Sequence, residues 1–375
     1  MTVFNFRESD PQPSGYTREK GLLAPARSTE PEAPDLNPQF EVATARSLEV
    51  PKKRAKHQSS RWIPVFDMQS LNCAYSRVKR ADREYRDRLL PEIELASRYD
   101  GKRQVPKLGN LRNVMKKMES LFPNFAQAIA GIGEELALAA ASKPADFRFS
   151  PLLLNGVPGI GKTAFAQELA ASFGLPYLNL NAGNLQHAAT IVGTASHWAN
   201  AAPGDIFNLL ADGESAVGIL LLDEVDKVSP DPEYAILPAL LDLLEPETSR
   251  HFKDISMNVI LDASHLIVLM TSNQPDFIDK ALLSRSRVYE VQQPDCAQRM
   301  TIINRWIEAL EKQTRTRLKV EPEMIQRMAN LPMDLRALQR LLRSAYGRAL
   351  LEKSDVLQPS LDGLEQKKRQ PVGFI

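Results

Sequence analysis

The chain is poor in several things that would assign it to a class at once. Only two of its 375 residues are cysteine, Cys73 and Cys296. Neither falls in a disulfide framework or a metal-ligand spacing, a pattern suited to a reducing compartment, and both are expected to be buried free thiols. No apolar run reaches the ~20 residues that cross a bilayer, so no membrane association is expected. The opening MTVFNFRESD lacks the basic and apolar regions of a secretory signal, which points to a cytoplasmic protein. Lys and Arg number 47 against 46 Asp and Glu, a net charge of +1. There is accordingly no global field to draw the protein onto nucleic acid or anionic lipid.

What is present is an ordinary soluble composition, 43% hydrophobic and 25% charged, long enough for two packed domains with loose ends. Residues 1–60 are rich in Pro, Ser, Glu and Arg with few periodic apolar positions, so they are expected to remain a disordered arm. Within them Pro51 to Lys56 forms a short basic cluster. Residues 61–120 read as a helical N-terminal or adaptor region, in which the mixed charge of Tyr75 to Arg98 suggests one exposed helix. Helical patterns continue over 108–142, with an interruption near Pro123. From Phe149 short apolar segments alternate with helical ones: Leu152–Asn155, Tyr177–Leu180, Gly218–Leu222, Leu266–Met270 and Val288–Val291. That alternation predicts an α/β domain over 121–293 with a five-stranded parallel sheet. Helical segments near 295–312, 322–330 and 334–351 predict a small all-α domain over 294–352, with Asp334 as an N-cap. The tail 353–375 reads as flexible.

Residues 156–163, Gly156-Val157-Pro158-Gly159-Ile160-Gly161-Lys162-Thr163, carry the chemistry. The pattern G-x-x-x-x-G-K-[ST] lies between an apolar strand and a helical segment, the context a phosphate-binding P-loop requires. Its glycines let backbone N–H groups face phosphate oxygens, and the following helix adds its positive end. Lys162 would reach the β- and γ-phosphates of ATP, and the Thr163 hydroxyl would ligate Mg²⁺. About sixty residues on, the buried run Ile219–Leu222 ends in Asp223-Glu224. A carboxylate pair at the C-terminal edge of such a strand suits Mg²⁺ binding by Asp223 and water activation by Glu224.

Together with Thr271-Ser272-Asn273 and Leu282-Leu283-Ser284-Arg285, these motifs resemble an AAA+ ATPase. The likeness is strongest to the ATPase module of Lon-type proteases, carried by Leu221 to Ser229 and Ala239 to Glu247, and it covers roughly residues 120–350. The resemblance implies a P-loop AAA+ fold followed by an α-helical lid. It makes Asn273 the sensor 1 residue beside the lytic water, and Arg285 the finger that reaches the nucleotide of a neighbouring subunit, with Arg287 as the alternative. It places Arg336 as sensor 2 in the lid, although the family usually has glycine where Asp334 and Ala337 stand. In Ile191 to Gly204 it puts Trp198 and Ala199 at the aromatic and aliphatic positions of a pore loop that grips polypeptide; Thr248 to Ser256 is a second pore-facing candidate. It further implies a homo-oligomeric ring, a hexamer by analogy, acting on a polypeptide client. No serine–lysine protease segment follows the lid, so a separately encoded protease or effector is the expected associate. Two other classes stay open: a nucleic-acid-associated loader, to which the basic cluster at 52–56 would contribute, and a slow nucleotide-gated scaffold.

Overall fold

In the computed structural model of the chain, residues 61–185, 187–194, 201–228 and 236–361 are described. The chain begins with β1 (Trp62–Pro64), α1 (Met68–Arg80), α2 (Arg83–Ala96), β2 (Lys102–Gln104), α3 (Leu111–Leu121) and α4 (Ala126–Ala141). There follow β3 (Leu152–Asn155), α5 (Lys162–Phe173), β4 (Tyr177–Asn181), α6 (Ala189–Val192), α7 (Asp205–Asp212) and β5 (Ile219–Asp223). Next come α8 (Leu237–Leu244), α9 (Pro246–Ser249), β6 (Phe252–Asp254), β7 (Val259–Leu261), β8 (Ile267–Ser272), α10 (Lys280–Ser284) and β9 (Arg287–Glu290). The last described helices are α11 (Cys296–Thr314), α12 (Pro322–Ala329) and α13 (Leu335–Leu351).

Five strands form one sheet in the order β4-β5-β8-β3-β9, and every pairing in it is parallel. All five are those the apolar runs predict, β3 with the same bounds and the other four displaced at their ends by a residue or two. The reason they were legible is burial. β3 and β8 are buried along their whole length and β5 along all but its last residue, so they read as unbroken apolar runs rather than alternating ones. β4 and β9 form the edges and are correspondingly more exposed. The fold is the α/β P-loop AAA+ fold, with a helical domain after it. The order sets β5, β8 and β3 side by side, so their C-terminal ends open on one common edge.

The buried apolar side chains fall into two clusters. One runs from Ile63 to Val291, and the other joins α11, α12 and α13 with Leu357 and Leu361. The first cluster is continuous across residue 120, taking in side chains of β1, α1 and α2.

Two expectations need correction. The charged stretch 75–98 is not one exposed helix. It lies in two helices, because Asp82 accepts from Tyr85 N and caps α2 immediately after α1 ends. Leu71, Ala74, Tyr75 and Val78 on α1, with Leu89, Ile93 and Ala96 on α2, are buried at helical spacing beneath the charges. The cysteines are also not buried: Cys73 is exposed and Cys296 half-exposed. Cys73 sits off the apolar stripe of α1, and Cys296 is the first residue of α11. Among the described residues no helix is long and apolar enough to cross a membrane.

Candidate functional site

The common edge of β3, β5 and β8 borders a cavity of about 740 Å³. Pro158 to Thr163, Asp223, Glu224, Asn273 and Arg336 all line it. Gly156 and Val157, predicted with the rest of the loop to bind nucleotide, open the loop but do not line the cavity; their carbonyls accept from Lys162 Nζ at 2.6 and 3.2 Å. The loop's shape depends on glycine at two kinds of place. Gly161 has φ of 102°, in the region L side chains avoid. At Gly156 a Cβ would come within 2.5 Å of the Val291 carbonyl oxygen.

Lys162 is only 7% exposed, and its Nζ also donates to Asn273 Oδ1 at 2.9 Å. Burial lowers the ammonium pKa, while Asp223, Asp226 and Glu224 pull it back up. The Thr163 hydroxyl donates to Asp223 Oδ2 at 2.8 Å, and the Thr271 hydroxyl donates to Asp223 Oδ1. Thr271 Oγ1 in turn accepts from Glu224 N at 3.0 Å. Glu224 is thus held with φ of 60°, an uncommon conformation for a residue with a side chain. Its carboxylate accepts from Lys227 Nζ at 2.9 Å and from Asn181 Nδ2 at 3.2 Å. The Lys227 contact, with Asn181 and Arg336 adding to it, holds the Glu224 pKa below the usual carboxylate range against the effect of burial.

The helical domain closes the opposite side. Asp334 caps α13 by accepting from Ala337 N at 2.7 Å, and its side chain would lie 3.1 Å from a Cβ placed on Gly159. That contact brings the start of α13 against the P-loop and Arg336 to the cavity. Gln298 Nε2 donates to Pro123 O at 3.2 Å, tying α11 to the chain before the sheet. Phe122, Ile302 and Trp306 supply apolar lining at this end. The sequence pointed to none of these three, nor to Asn181, and marked Thr271 and Lys227 only as members of longer motifs without a role of their own. For Asn181 a signal existed: it is the last residue of β4 and pairs in register with Asp223.

Arg285 is not at this cavity. Its Nε donates to Glu245 Oε2 at 3.2 Å and its Nη1 to Ala281 O at 3.2 Å. It lines a second cavity of about 340 Å³ with Arg148, Glu245 and Ser249. Arg287 pairs instead with the buried Glu135, at 2.7 Å. Trp198 and Ala199 lie outside the described residues. The segment Thr248 to Ser256 takes in the end of α9 and the first strand of the β6–β7 hairpin.

Residues 152–294 match the family model described as ATPase family associated with various cellular activities (AAA). A Lon protease of Treponema pallidum is 28% identical over 176 residues, 46% of this chain and 20% of the relative. The Lon protease of Halothermothrix orenii is 34% identical over 157 residues, 42% of this chain and 20% of the relative. A mitochondrial Lon protease homolog of Aspergillus fumigatus is 32% identical over 156 residues, 42% of this chain and 14% of the relative. The chain therefore spans about a fifth or less of the length of these curated relatives. With the parallel sheet, the loop and the acidic strand end in place, residues 152–294 are an AAA-type ATPase domain related to the ATPase module of Lon proteases.

Proposed function

We propose that this chain hydrolyses ATP in a head-to-tail ring, a hexamer by the family resemblance, and uses the cycle to remodel or translocate polypeptide clients. The observation that carries the reading is the convergence of Lys162, Thr163, Asp223, Glu224, Asn273 and Arg336 on one cavity. Three adjacent strands and the helical domain contribute to it, a convergence that glycine-loop geometry alone would not produce.

The donor set fits a nucleotide with a hard divalent cation. Thr163 and Asp223 offer oxygen atoms 2.8 Å apart. No cluster of three metal-ligating side chains is found among the described residues. Such a pair suits Mg²⁺, which keeps several waters and shares its coordination with phosphate oxygens rather than filling a protein cage. When bound, the cation would neutralise charge building on the phosphates. Lys162 binds phosphate oxygens by exchanging its contacts to the Gly156 and Val157 carbonyls for them. Glu224, kept ionised by Lys227 and Asn181, accepts a proton from the attacking water. Asn273 orients that water from the end of β8, and Arg336 couples the site to the helical domain.

Arg285 acts on the site of the neighbouring copy, since it faces a different cavity of its own chain. An arginine supplied across the interface stabilises the charge of the transition state. Heterologous contacts of that kind close into rings when the rotation permits. Trp198, with Ala199, grips the client through a broad apolar face that reads no sequence. A separately encoded protease or other effector would be the downstream partner. The test is phosphate release measured with and without unfolded casein, alongside sedimentation with nucleotide. The reading expects ring-sized particles and faster release with casein. A protein that stays monomeric with ATP, or ignores casein while responding to DNA, would refute it.

A further inference from the structure

Helix α7 is held at both ends by buried charge. At its C-terminal end stands Arg103, with none of its surface exposed. The guanidinium donates to Leu210 O at 2.7 Å and to Ala211 O at 3.2 Å. It also donates to Leu95 O and Ala96 O at the end of α2, at 3.0 and 3.3 Å. Its remaining contacts are Arg98 O at 3.2 Å and Lys102 O at 2.8 Å, and it lies 4.9 Å from the Phe66 ring centroid. All six acceptors are backbone carbonyls. A cation is favourable where two helices end, but an apolar side chain would fill this space without the cost of burying a charge. What only a guanidinium supplies is a rigid fan of donors that joins three chain segments.

At the other end of α7 stands Asp254, 1% exposed. It accepts from Gly204 N, the residue before the helix, at 2.7 Å, and from Met257 N at 2.7 Å. The helix has no side-chain cap of its own. Beside this bond Ile255 N donates to Val192 O at 2.6 Å, and Thr194 N donates to Ala202 O at 3.0 Å. The β6–β7 hairpin and residues 191–194 and 201–204 are therefore one assembly.

Residues 61–105 grip that assembly from both sides. Arg77 Nη2 donates to Met257 O at 2.5 Å. Asp67 N donates to Ile260 O at 2.9 Å, and Asp262 N to Val65 O at 2.7 Å. Beyond α7, Gln104 N donates to Glu214 O at 2.6 Å and Ala216 N to Gln104 O at 2.8 Å. The Phe66 and Phe207 rings meet edge to face at 5.3 Å.

We propose that Arg103 and Asp254 are positioning residues through which residues 61–105 fix both ends of α7 and the flanks 191–194 and 201–204, and with them the response to client. The region before the ATPase domain thus serves as a fixed brace for the client-facing side. This rests on reading 191–204 as client-facing; the brace itself is visible without that reading.

The test uses the full chain carrying Arg103→Lys or Asp254→Asn, with unfolded casein as probe and amide hydrogen exchange of residues 205–212 as a second readout. Both variants should exchange at least tenfold faster in α7 and need at least fivefold more casein for half-maximal stimulation. Phosphate release without casein and nucleotide affinity should stay within twofold of the unaltered chain. Should Arg103→Lys fail to fold, Asp254→Asn carries the test alone. Unchanged exchange overturns the proposal, as does basal release that falls in step with the casein response, the mark of a general folding defect. Trp198→Ala separates the two readings. If it abolishes stimulation while faster exchange leaves the casein response untouched, the proposal fails. If it leaves stimulation intact, the client-facing reading fails, and exchange alone decides whether α7 is clamped.

Discussion

The Thr163 hydroxyl donates to Asp223 Oδ2 across 2.8 Å, joining the start of α5 to the end of β5. Thr271 donates to the other oxygen of the same carboxylate and accepts from the Glu224 backbone. One threonine on β8 thus sets both acidic residues. Thr271→Val keeps the shape and removes the hydroxyl, leaving Glu224 N without its acceptor. Steady-state phosphate release should fall by roughly 10–100-fold, the range seen when support of a ligating group is lost. Denaturant unfolding should show about 1–3 kcal/mol lost, the cost of an unsatisfied buried donor.

The same pair sets the metal requirement. Thr163→Ala should raise the Mg²⁺ concentration for half-maximal hydrolysis at least tenfold. EDTA should stop hydrolysis by the unaltered chain, with recovery when Mg²⁺ is added back. Hydrolysis at full rate in EDTA would remove Thr163 and Asp223 from their proposed role.

Much of this arrangement could be read before any coordinates. β3, β5 and β8 are buried on both faces, so hydrophobicity alone marked them, and the P-loop and Asp223-Glu224 follow from where those strands end. The rest escaped for physical reasons. Phe122 and Trp306 are ordinary apolar residues far apart in the chain, and only the fold, with Phe122 against α5 and Trp306 on α11 of the helical domain, makes them neighbours of one cavity. Arg103 reads as one more charge in a charged region, because nothing local reveals that two helices end on it. The α1–α2 pair was hidden for a related reason: exposed Arg, Lys, Asp and Glu outnumber the few residues that bury.

Trp306 should contribute to nucleotide affinity, not to chemistry. Trp306→Ala removes apolar lining from the helical-domain side of the cavity. By calorimetry, the ATP dissociation constant should rise about tenfold, consistent with ~1.5–3 kcal/mol for a large buried apolar group only part of which meets ligand. Turnover at saturating ATP should change little.

Arg285 is paired with Glu245 in its own chain and serves the next copy in the proposal. Arg285→Ala should reduce turnover on the order of 10³-fold or more, the scale of a trans-acting arginine, with nucleotide affinity nearly unchanged. Lys162→Ala should abolish nucleotide binding. Mixing these two inactive variants should restore part of the activity, because an intact loop then meets an intact arginine across an interface. A mixture as inactive as its components would contradict action in trans.

Burial pushes the Asp254 carboxyl up to about 6, although the Gly204, Met257 and Ser256 amides oppose the shift. A pKa raised by folding means stability present below the unfolded value and lost as pH rises through the folded one. Over roughly pH 4 to 6 the unaltered chain should therefore lose a stabilising contribution that Asp254→Asn lacks. Melting temperatures at pH 4.5 and 7.5 should show the advantage of the unaltered chain over Asp254→Asn shrinking with rising pH. A gap independent of pH would argue against a buried titrating carboxyl there.

In the proposed mechanism ATP is cleaved at the cavity between the P-loop and the end of β5, with Glu224 activating the water. Its most direct test is single-turnover phosphate release by Glu224→Gln, measured at saturating ATP and Mg²⁺ beside nucleotide binding by the same protein. Binding should stay within about threefold of the unaltered chain and release should slow at least 100-fold, within the range for a lost general base. Release at the unaltered rate, with binding intact, would contradict it.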